Sequence, residues 1–247
     1  MTRYLQPPLT STRVFSTPVH LCVSYLDWLY GKLQQKQGAH VVTLNSEMVM
    51  LAEQDAEVAL VFEQAELVIP DGAGVTIYLR LEKIKQDRCP GIELAAGLMR
   101  RLAQLPDPPL ICFYGGEPGV TEQAATWWQE EFPQLQFLTN HGFLDEAAQA
   151  QWLKTLSTKK PALILVGLGV PRQEYWIRDH RQLCENSIWI GVGGSFDVWS
   201  GNKQRAPDFF CRYNLEWLYR LYREPWRWRR MLVLPQFLWR ALFCRPR

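Results

Sequence analysis

Short apolar runs that alternate with helix-like segments constrain the fold of this 247-residue chain more than any other feature. Each run is nearly all apolar, as a strand buried on both faces must be. The runs lie at residues 40–43, 67–69, 110–114, 136–138, 162–167 and 188–192. Helical patterns lie between them, near residues 46–64, 72–82, 91–104, 119–131, 145–157 and 172–185. The alternation predicts an α/β fold in which helices cover both faces of a mostly parallel sheet.

The C-terminal part of the chain differs in charge and in aromatic content. Residues 205–247 carry ten arginines and three acids, a net charge of +7, whereas residues 1–204 carry a net charge of −5. From Pro207 the pattern predicts a helix up to Pro225, then two short pieces separated by Pro235. Tryptophan and arginine together suit a membrane interface, where they contact headgroups and lipid phosphates. The alternative is a terminal helix that packs its aromatic side chains on the domain.

We therefore divide the chain into an α/β domain, residues 1–206, and a basic and aromatic helical appendage, residues 207–247. No stretch reaches the roughly 20 apolar residues that a membrane-spanning helix needs, and the N-terminus has no apolar core of the signal-peptide type. We expect a cytoplasmic protein that is peripheral on the inner face of the cytoplasmic membrane.

Several motif classes are missing from the sequence. The six cysteines stand singly and no CxxC or HExxH occurs, which argues against a zinc site or a redox centre. There is no GxGxxG and no GxxxxGK[ST], so a nicotinamide cofactor and a P-loop are disfavoured. An Asp-x-Asp triplet, which could hold a metal with its two carboxylates, is also missing. We expect neither a cofactor nor a metal site on the protein.

Polar residues follow the first two predicted strands, at the carboxyl edge where parallel sheets bind ligands. Thr43 and Asn45 are candidate substrate contacts, although Asn45 also suits the cap of the next helix. Asp71 lies in Pro-Asp-Gly, which is an ordinary turn sequence. A carboxylate at this edge can alternatively take a proton from an attacking hydroxyl.

Glycines follow three further predicted strands. Gly115 and Gly116 precede one helix, and Gly169 precedes another at Gln173. Glycine lets a backbone approach a phosphate closely, and the start of a helix favours negative charge. Gly193 belongs to a third glycine-rich loop, for which tight internal packing is an equal alternative to a ligand surface.

Taken in order, these loops resemble the WecG/TagA/CpsF family of bacterial glycosyltransferases, over residues 18 to 230. The matching residues include Thr43, Asn45, Pro70-Asp71-Gly72, Gly74, Arg80, Gly91, Gly115-Gly116, Gly167-Leu168-Gly169, Pro171, Gln173-Glu174, Gly193-Gly194, Phe196-Asp197, Gly201, Arg205-Ala206-Pro207, Glu216-Trp217-Leu218-Tyr219-Arg220, Glu224-Pro225 and Arg227. Arg172 stands where the family usually has lysine, and Gln204 replaces a more usual basic residue.

The resemblance implies a Rossmann-like domain with a C-terminal appendage that helps to complete the active site at the membrane. It implies a UDP-sugar donor, commonly UDP-N-acetylmannosamine, and a polyprenyl-diphosphate-linked acceptor. It further implies transfer with inversion, without a required metal, in the synthesis of surface polysaccharides.

The resemblance also implies residue roles. Asp71 matches the family's base, and Thr43 would position the sugar or the acceptor. Substrate binding is expected of Asn45, Gly115, Gly116, Gly169, Gln173, Gly193, Asp197, Arg205, Arg220, Arg227 and Arg230. The last three match arginines of the family's appendage, and an arginine fork suits a diphosphate.

Two other functions stay open at this point. The chain can be a non-catalytic regulator that binds a nucleotide sugar at the membrane. From composition alone, the Arg- and Trp-rich appendage can also bind nucleic acid. The acidic body argues against that second alternative, and we expect no nucleic-acid partner. The oligomeric state is left undetermined.

Overall fold

A six-stranded, wholly parallel sheet forms the centre of the structure, a computed structural model that describes residues 7–213, 215–228 and 232–243. Its strands are β3 (Ala39–Leu44), β4 (Leu67–Pro70), β5 (Ile111–Gly115), β6 (Phe137–Asn140), β7 (Leu163–Gly167) and β8 (Ile188–Gly191). They lie in the order β4-β3-β8-β7-β5-β6. A separate antiparallel hairpin, β1 (Thr10–Val14) with β2 (Thr17–Leu21), precedes them. The predicted Rossmann-like α/β class is confirmed.

Helices connect the strands and cover both faces of the sheet. They are α1 (Tyr25–Gln34), α2 (Ser46–Ala52), α3 (Ala56–Glu63), α4 (Ala73–Leu81), α5 (Gly91–Ala103), α6 (Val120–Glu131), α7 (Glu146–Lys159), α8 (Arg172–His180) and α9 (Ser195–Trp199). The sequence pattern predicts one helix over 46–64, but the structure has two. The helix is interrupted before Asp55. The Asp55 side chain accepts hydrogen bonds from Glu57 N and Val58 N and so caps a new helix, α3.

Apolar side chains from both faces of the central strands fill the core. One cluster packs α1, α5, α6 and α9 on one face, with Trp128 and Phe196 almost fully buried. A second cluster packs α2, α3 and α4 under β3 and β4. A third lies under β5, β7 and β8, with α7 and α8. The four inner strands β3, β8, β7 and β5 are therefore buried on both sides, which fits their largely apolar sequences.

The described part of the appendage consists of α10 (Asp208–Arg212), α11 (Glu216–Arg223), a short 3-10 turn over Pro225–Arg227, and α12 (Val233–Phe243). The sequence pattern predicts that Pro235 separates two short helical pieces. In the structure Pro235 instead lies inside α12. It occupies the first turn of that helix, where a backbone N–H would have no intrahelical partner in any case. A continuous helix through Pro235 is therefore possible without a lost hydrogen bond.

Helix α12 packs against the α/β domain. Phe237 and Ala241, one turn apart, are fully buried in the second core cluster. The ring of Phe237 lies 5.2 Å from that of Phe15, and the Arg240 guanidinium lies over Phe15 and pairs with Glu53. Packing on the domain, one of the two alternatives for the appendage, is thus confirmed for one face of α12.

Candidate active site

The order of the strands brings the predicted loops into one row. Parallel strands have their carboxyl ends at the same edge, where ligands of such sheets bind. Along this edge the structure places Asp71 after β4, Thr43 and Asn45 at β3, Gly193 after β8, Gly169 after β7, and Gly115 with Gly116 at β5. Residues far apart in sequence therefore line a single edge, as the sequence analysis predicts.

Asp71 and Thr43 lie on either side of the first residue of α5. Asp71 Oδ1 accepts a hydrogen bond of 3.1 Å from Gly91 N. A Cβ atom at Gly91 would lie 2.5 Å from Thr43 Cγ2, so only glycine fits between the two side chains. Asp71 is half-buried. The donated N–H and the start of a helix both favour the charged carboxylate, which is the form that a base requires.

The Thr43 side chain is 7% exposed, and its hydroxyl donates to the Gly191 carbonyl over 2.9 Å. This bond uses the hydroxyl proton and leaves the oxygen lone pairs as acceptors. Thr43 is therefore suited to accept a hydrogen bond from a sugar or acceptor hydroxyl.

Asn45 caps α2, which is the ordinary role that the sequence also allows. Its Oδ1 accepts from Met48 N over 3.1 Å. The residue also packs on the Asp71 turn, because a Cβ at Gly72 would lie 2.7 Å from Asn45 Cβ. The N–H groups of Asp71 and Gly72 both donate to the Leu44 carbonyl, over 2.9 and 3.0 Å. A direct contact between Asn45 and substrate stays a prediction.

The glycine-rich loops fall into two kinds. Gly115 is needed for close packing, since a Cβ there would lie 2.4 Å from the Gly167 carbonyl oxygen. Gly116, next to it, donates its N–H to the same oxygen over 3.0 Å. Gly169 and Gly193 have positive φ angles of 75° and 52°, yet within the described chain a Cβ at either would meet no heavy atom within 4 Å. Their backbones border open space, as a surface that receives a ligand must.

Gln173 is buried, 1% exposed, and its amide is engaged within the protein. Its Oε1 accepts from Gly193 N over 3.0 Å, and its Nε2 donates to Glu174 Oε1 over 2.9 Å. Glu174 Oε2 in turn lies 2.8 Å from His40 Nε2 on β3. Gln173 therefore holds the Gly193 loop, and a direct contact with the donor stays a prediction. His40 lies in an apolar run and belongs to no motif, so the sequence does not mark it as a site residue.

Arg88 is a second residue that the sequence analysis did not single out. Its Nε donates to the backbone carbonyl of Asp71 over 2.6 Å, and its guanidinium pairs with Glu216 on α11. Arg205, a predicted site residue, pairs with Glu93 and lies 3.9 Å from Glu216. Glu93 is in the first turn of α5, so these charges surround the helix start at which Asp71 lies.

Two cysteines lie near these charges. Burial, and then the neighbouring Asp71 carboxylate, raise the pKa of the Cys89 thiol to about 12. Burial, and then a hydrogen bond to Glu216, raise the pKa of Cys211 to about 11. Both thiols are protonated at neutral pH and do not compete with Asp71 as a base.

The remaining predicted residues lie toward the appendage. Asp197 on α9 is 3.9 Å from Lys203, which forms a 3.0 Å ion pair with Glu224 after α11. Arg220 lies on α11, one turn after Glu216, and Arg227 lies in the 3-10 turn. Arg230 lies outside the described residues. Contacts of these three arginines with substrate stay predictions.

Two further properties of the described residues bear on ligands and membranes. No three His, Cys, Asp or Glu side chains among them are grouped as a metal site would require. Within the same described ranges, none of the helices combines the length and the apolar character needed to cross a bilayer.

The fold defines a Rossmann-like α/β protein, and its predicted site residues line the carboxyl edge of the sheet. A family model described as the glycosyl transferase WecG/TagA/CpsF family matches residues 12–247, so the chain belongs to this family. A relative from Bacillus spizizenii, named N-acetylglucosaminyldiphosphoundecaprenol N-acetyl-beta-D-mannosaminyltransferase, is 35% identical over 218 residues, 87% of this chain and 82% of the relative. Proteins of the same name from Bacillus subtilis and Staphylococcus aureus MW2 are 34% and 32% identical, covering 87% and 84% of this chain and 83% and 81% of their own lengths.

Proposed function

We propose that this chain is an inverting glycosyltransferase that moves N-acetylmannosamine, or a related hexose, from a UDP-sugar to a polyprenyl-diphosphate-linked acceptor in surface-polysaccharide synthesis. Family membership supports sugar transfer, and the names of the Bacillus and Staphylococcus relatives support this sugar and this acceptor. The observation that carries the proposal is the half-buried Asp71 carboxylate, which lies beside Thr43 at the carboxyl edge of the sheet.

In the proposed reaction the acceptor hydroxyl attacks the anomeric carbon of the donor from the side opposite UDP. A new carbon–oxygen bond forms while the bond to UDP breaks, and its electron pair leaves with UDP. Asp71 accepts the hydroxyl proton as general base. Thr43 accepts a hydrogen bond from a sugar or acceptor hydroxyl and so orients the reacting groups.

The leaving diphosphate needs positive charge or N–H donors. The open backbones at Gly169 and Gly193 and the start of α8 are suited to part of this role. Arg220, Arg227 and Arg230 of the appendage would supply guanidinium groups, whose forks bind phosphate with two hydrogen bonds. With these arginines, we propose that transfer does not require a metal.

The appendage also supports a peripheral position on the membrane. Large apolar side chains stay exposed along it, and together we call them the apolar surface of the appendage: Phe209, Tyr213, Trp217, Leu218, Tyr222, Trp226, Trp228, Leu232, Leu238, Trp239, Leu242 and Phe243. An exposed apolar surface on a segment with a net positive charge is typical of proteins that bind anionic membranes. On α12, Phe237 faces the domain while Trp239 and Phe243 are 63% and 67% exposed.

A donor screen tests the proposed function. The purified full chain is mixed with a panel of UDP-sugars and a short polyprenyl-diphosphate-linked N-acetylglucosamine, and products are read by mass spectrometry and anomeric NMR. We expect transfer from UDP-N-acetylmannosamine with an inverted anomeric centre, both with and without a chelator. A chain that binds a UDP-sugar but releases no UDP with any acceptor would instead be a regulator.

A further inference from the structure

Asp71 is held, through its backbone and its side chain, by contacts from two parts of the chain. Its N–H donates to carbonyls of β3 and β4, and its Oδ1 accepts from Gly91 N, so these contacts belong to the α/β domain. Its carbonyl accepts from Arg88 Nε. Arg88 pairs through its terminal nitrogen with Glu216, which belongs to the appendage. The candidate base is therefore connected to α11 through the side chains of Arg88 and Glu216.

The ion pair between Arg88 and Glu216 is largely buried, which strengthens the interaction between the two charges. The side chains of Arg88 and Glu216 are 15% and 14% exposed, so water screens their charges little. A buried charge that loses its partner is strongly unfavourable, and its neighbours then rearrange. The Glu216 carboxylate is therefore expected to help hold the Arg88 guanidinium at the Asp71 carbonyl.

The Glu216 carboxylate also contacts groups on the other side. Its Oε1 accepts from the Cys211 thiol over 3.1 Å and lies 3.9 Å from Arg205. Arg205 pairs with Glu93 on α5, the helix whose first N–H holds the Asp71 carboxylate. Glu216 thus lies near two arginines: Arg88, which donates to the Asp71 carbonyl, and Arg205, which pairs with Glu93 in the first turn of α5.

On the basis of the proposed function, we propose that Arg88 and Glu216 are positioning residues that make the orientation of the Asp71 base depend on docking of α11. The appendage then acts on the base as well as on the diphosphate. When α11 leaves the domain, Arg88 loses the Glu216 carboxylate, and this weakens the hydrogen bond from Arg88 Nε to the Asp71 carbonyl. An appendage that is not docked would therefore leave the base poorly oriented even with both substrates bound.

A first experiment needs no substrate. Hydrogen–deuterium exchange is measured on the full chain carrying Glu216→Gln or Arg88→Lys, which keep size or charge but remove the carboxylate or the fork. We expect faster exchange at the Asp71 turn, residues 70–74, in both variants. The control is Glu53→Gln, which breaks the Arg240 ion pair between α12 and the domain and should leave the Asp71 turn unchanged. Unchanged exchange at 70–74 in Glu216→Gln would overturn the inference.

A second experiment separates this inference from the proposed function. The kcat for UDP-N-acetylmannosamine and a short polyprenyl-diphosphate-linked N-acetylglucosamine is measured for Glu216→Gln, Asp71→Asn and the double variant. We expect Glu216→Gln to lower kcat by about 10- to 100-fold with KM nearly unchanged, since small displacements of reacting groups cost this much. In the Asp71→Asn background the same change should cost almost nothing, because the base is already absent.

These kcat values distinguish failure of the proposed base from failure of the proposed role of Glu216. If Asp71→Asn itself keeps the wild-type rate, the proposed base is wrong. If Asp71→Asn loses activity but Glu216→Gln costs the same factor in both backgrounds, Glu216 acts independently of Asp71 and only the present inference fails.

Discussion

Gly91 sets how closely Thr43 and Asp71 approach each other. Its N–H holds the Asp71 carboxylate, and its missing side chain leaves room for the Thr43 methyl group. The Thr43 hydroxyl donates a hydrogen bond to the Gly191 carbonyl on the opposite side. Thr43 therefore cannot move away from Gly91 without losing that hydrogen bond. The geometry of the candidate site therefore depends on a residue that carries no functional group.

Gly91→Ala is expected to lower kcat by about 10²-fold, because a displacement of about 1 Å between reacting groups is enough for such a loss. The matched control is Gly97→Ala in the same helix, where the new Cβ would make ordinary contact with Leu26 at 3.4 Å. That control should keep full activity and raise the free energy of unfolding by about 0.5–1 kcal/mol. Activity assays and urea denaturation of both variants provide the comparison; equal activity would contradict this account.

His40 is expected to matter for stability through Glu174. His40→Leu leaves Glu174, 1% exposed, without its imidazole partner and should lower the free energy of unfolding by about 3–5 kcal/mol. Glu57→Gln, which removes an exposed pair with Arg178, should cost less than about 1 kcal/mol. Urea denaturation at neutral pH compares the two. A similar small loss in both would mean that the buried pair contributes little.

The sequence predicts some of these residues and misses others for a physical reason. Asp71 and Thr43 lie at strand ends, and the strand ends are visible as the limits of apolar runs. Arg88 is in a loop, and its role depends on Glu216, 128 positions away. His40 on β3 has a neighbour in Glu174, which only the packing of α8 against the sheet brings close. Such contacts follow from topology, which local patterns do not contain.

At the scale of elements, the six predicted strands are confirmed. Five of them are buried along most of their length and hence largely apolar, whereas the edge strand β6 is only half-buried. The β1–β2 hairpin and α1 were not predicted, since the hairpin strands mix threonine, serine and arginine with few apolar residues. Helix α12 extends through Pro235, which a pattern read residue by residue treats as a break. Packing of Phe237 on the domain favours the continuous helix.

The two faces of α12 provide a matched pair of variants. Phe237→Ala should lower the free energy of unfolding by about 3–5 kcal/mol, because it removes a fully buried ring from the second core cluster. Phe243→Ala, at a position 67% exposed, should change it by no more than about 0.5 kcal/mol. Only the second variant should bind vesicles of anionic lipid more weakly while remaining as stable as the wild type. The opposite ranking in denaturation would show that α12 does not dock as described.

At the scale of the whole molecule, charge and apolar surface are unevenly distributed. The body is acidic and the appendage basic, and the exposed aromatic side chains are concentrated on the appendage. The composition of the chain predicts this asymmetry, but not that one face of α12 belongs to the core. The boundary at residue 206 marks a change in composition, and α12 beyond it packs on the α/β domain. The division into a domain and an appendage stays a prediction.

Removal of residues 207–247 should abolish transfer, because it takes away Glu216 and the appendage arginines. We expect the body to keep its parallel sheet and to unfold cooperatively, at a lower temperature, since Phe237 and Ala241 no longer cover Phe15 and Tyr78. Circular dichroism with thermal melting measures the fold, and the transfer assay measures the activity. Full activity of the truncated chain would exclude any role of the appendage in catalysis.

In the proposed mechanism the Asp71 carboxylate accepts the proton of the acceptor hydroxyl. Asparagine at this position keeps an oxygen that can accept from Gly91 N, so the turn should survive while the base is lost. The most direct measurement is kcat of Asp71→Asn against wild type, with the acceptor and UDP-N-acetylmannosamine saturating. We predict a loss of about 10²- to 10⁴-fold, the usual contribution of a general base. A wild-type kcat in Asp71→Asn would contradict the mechanism.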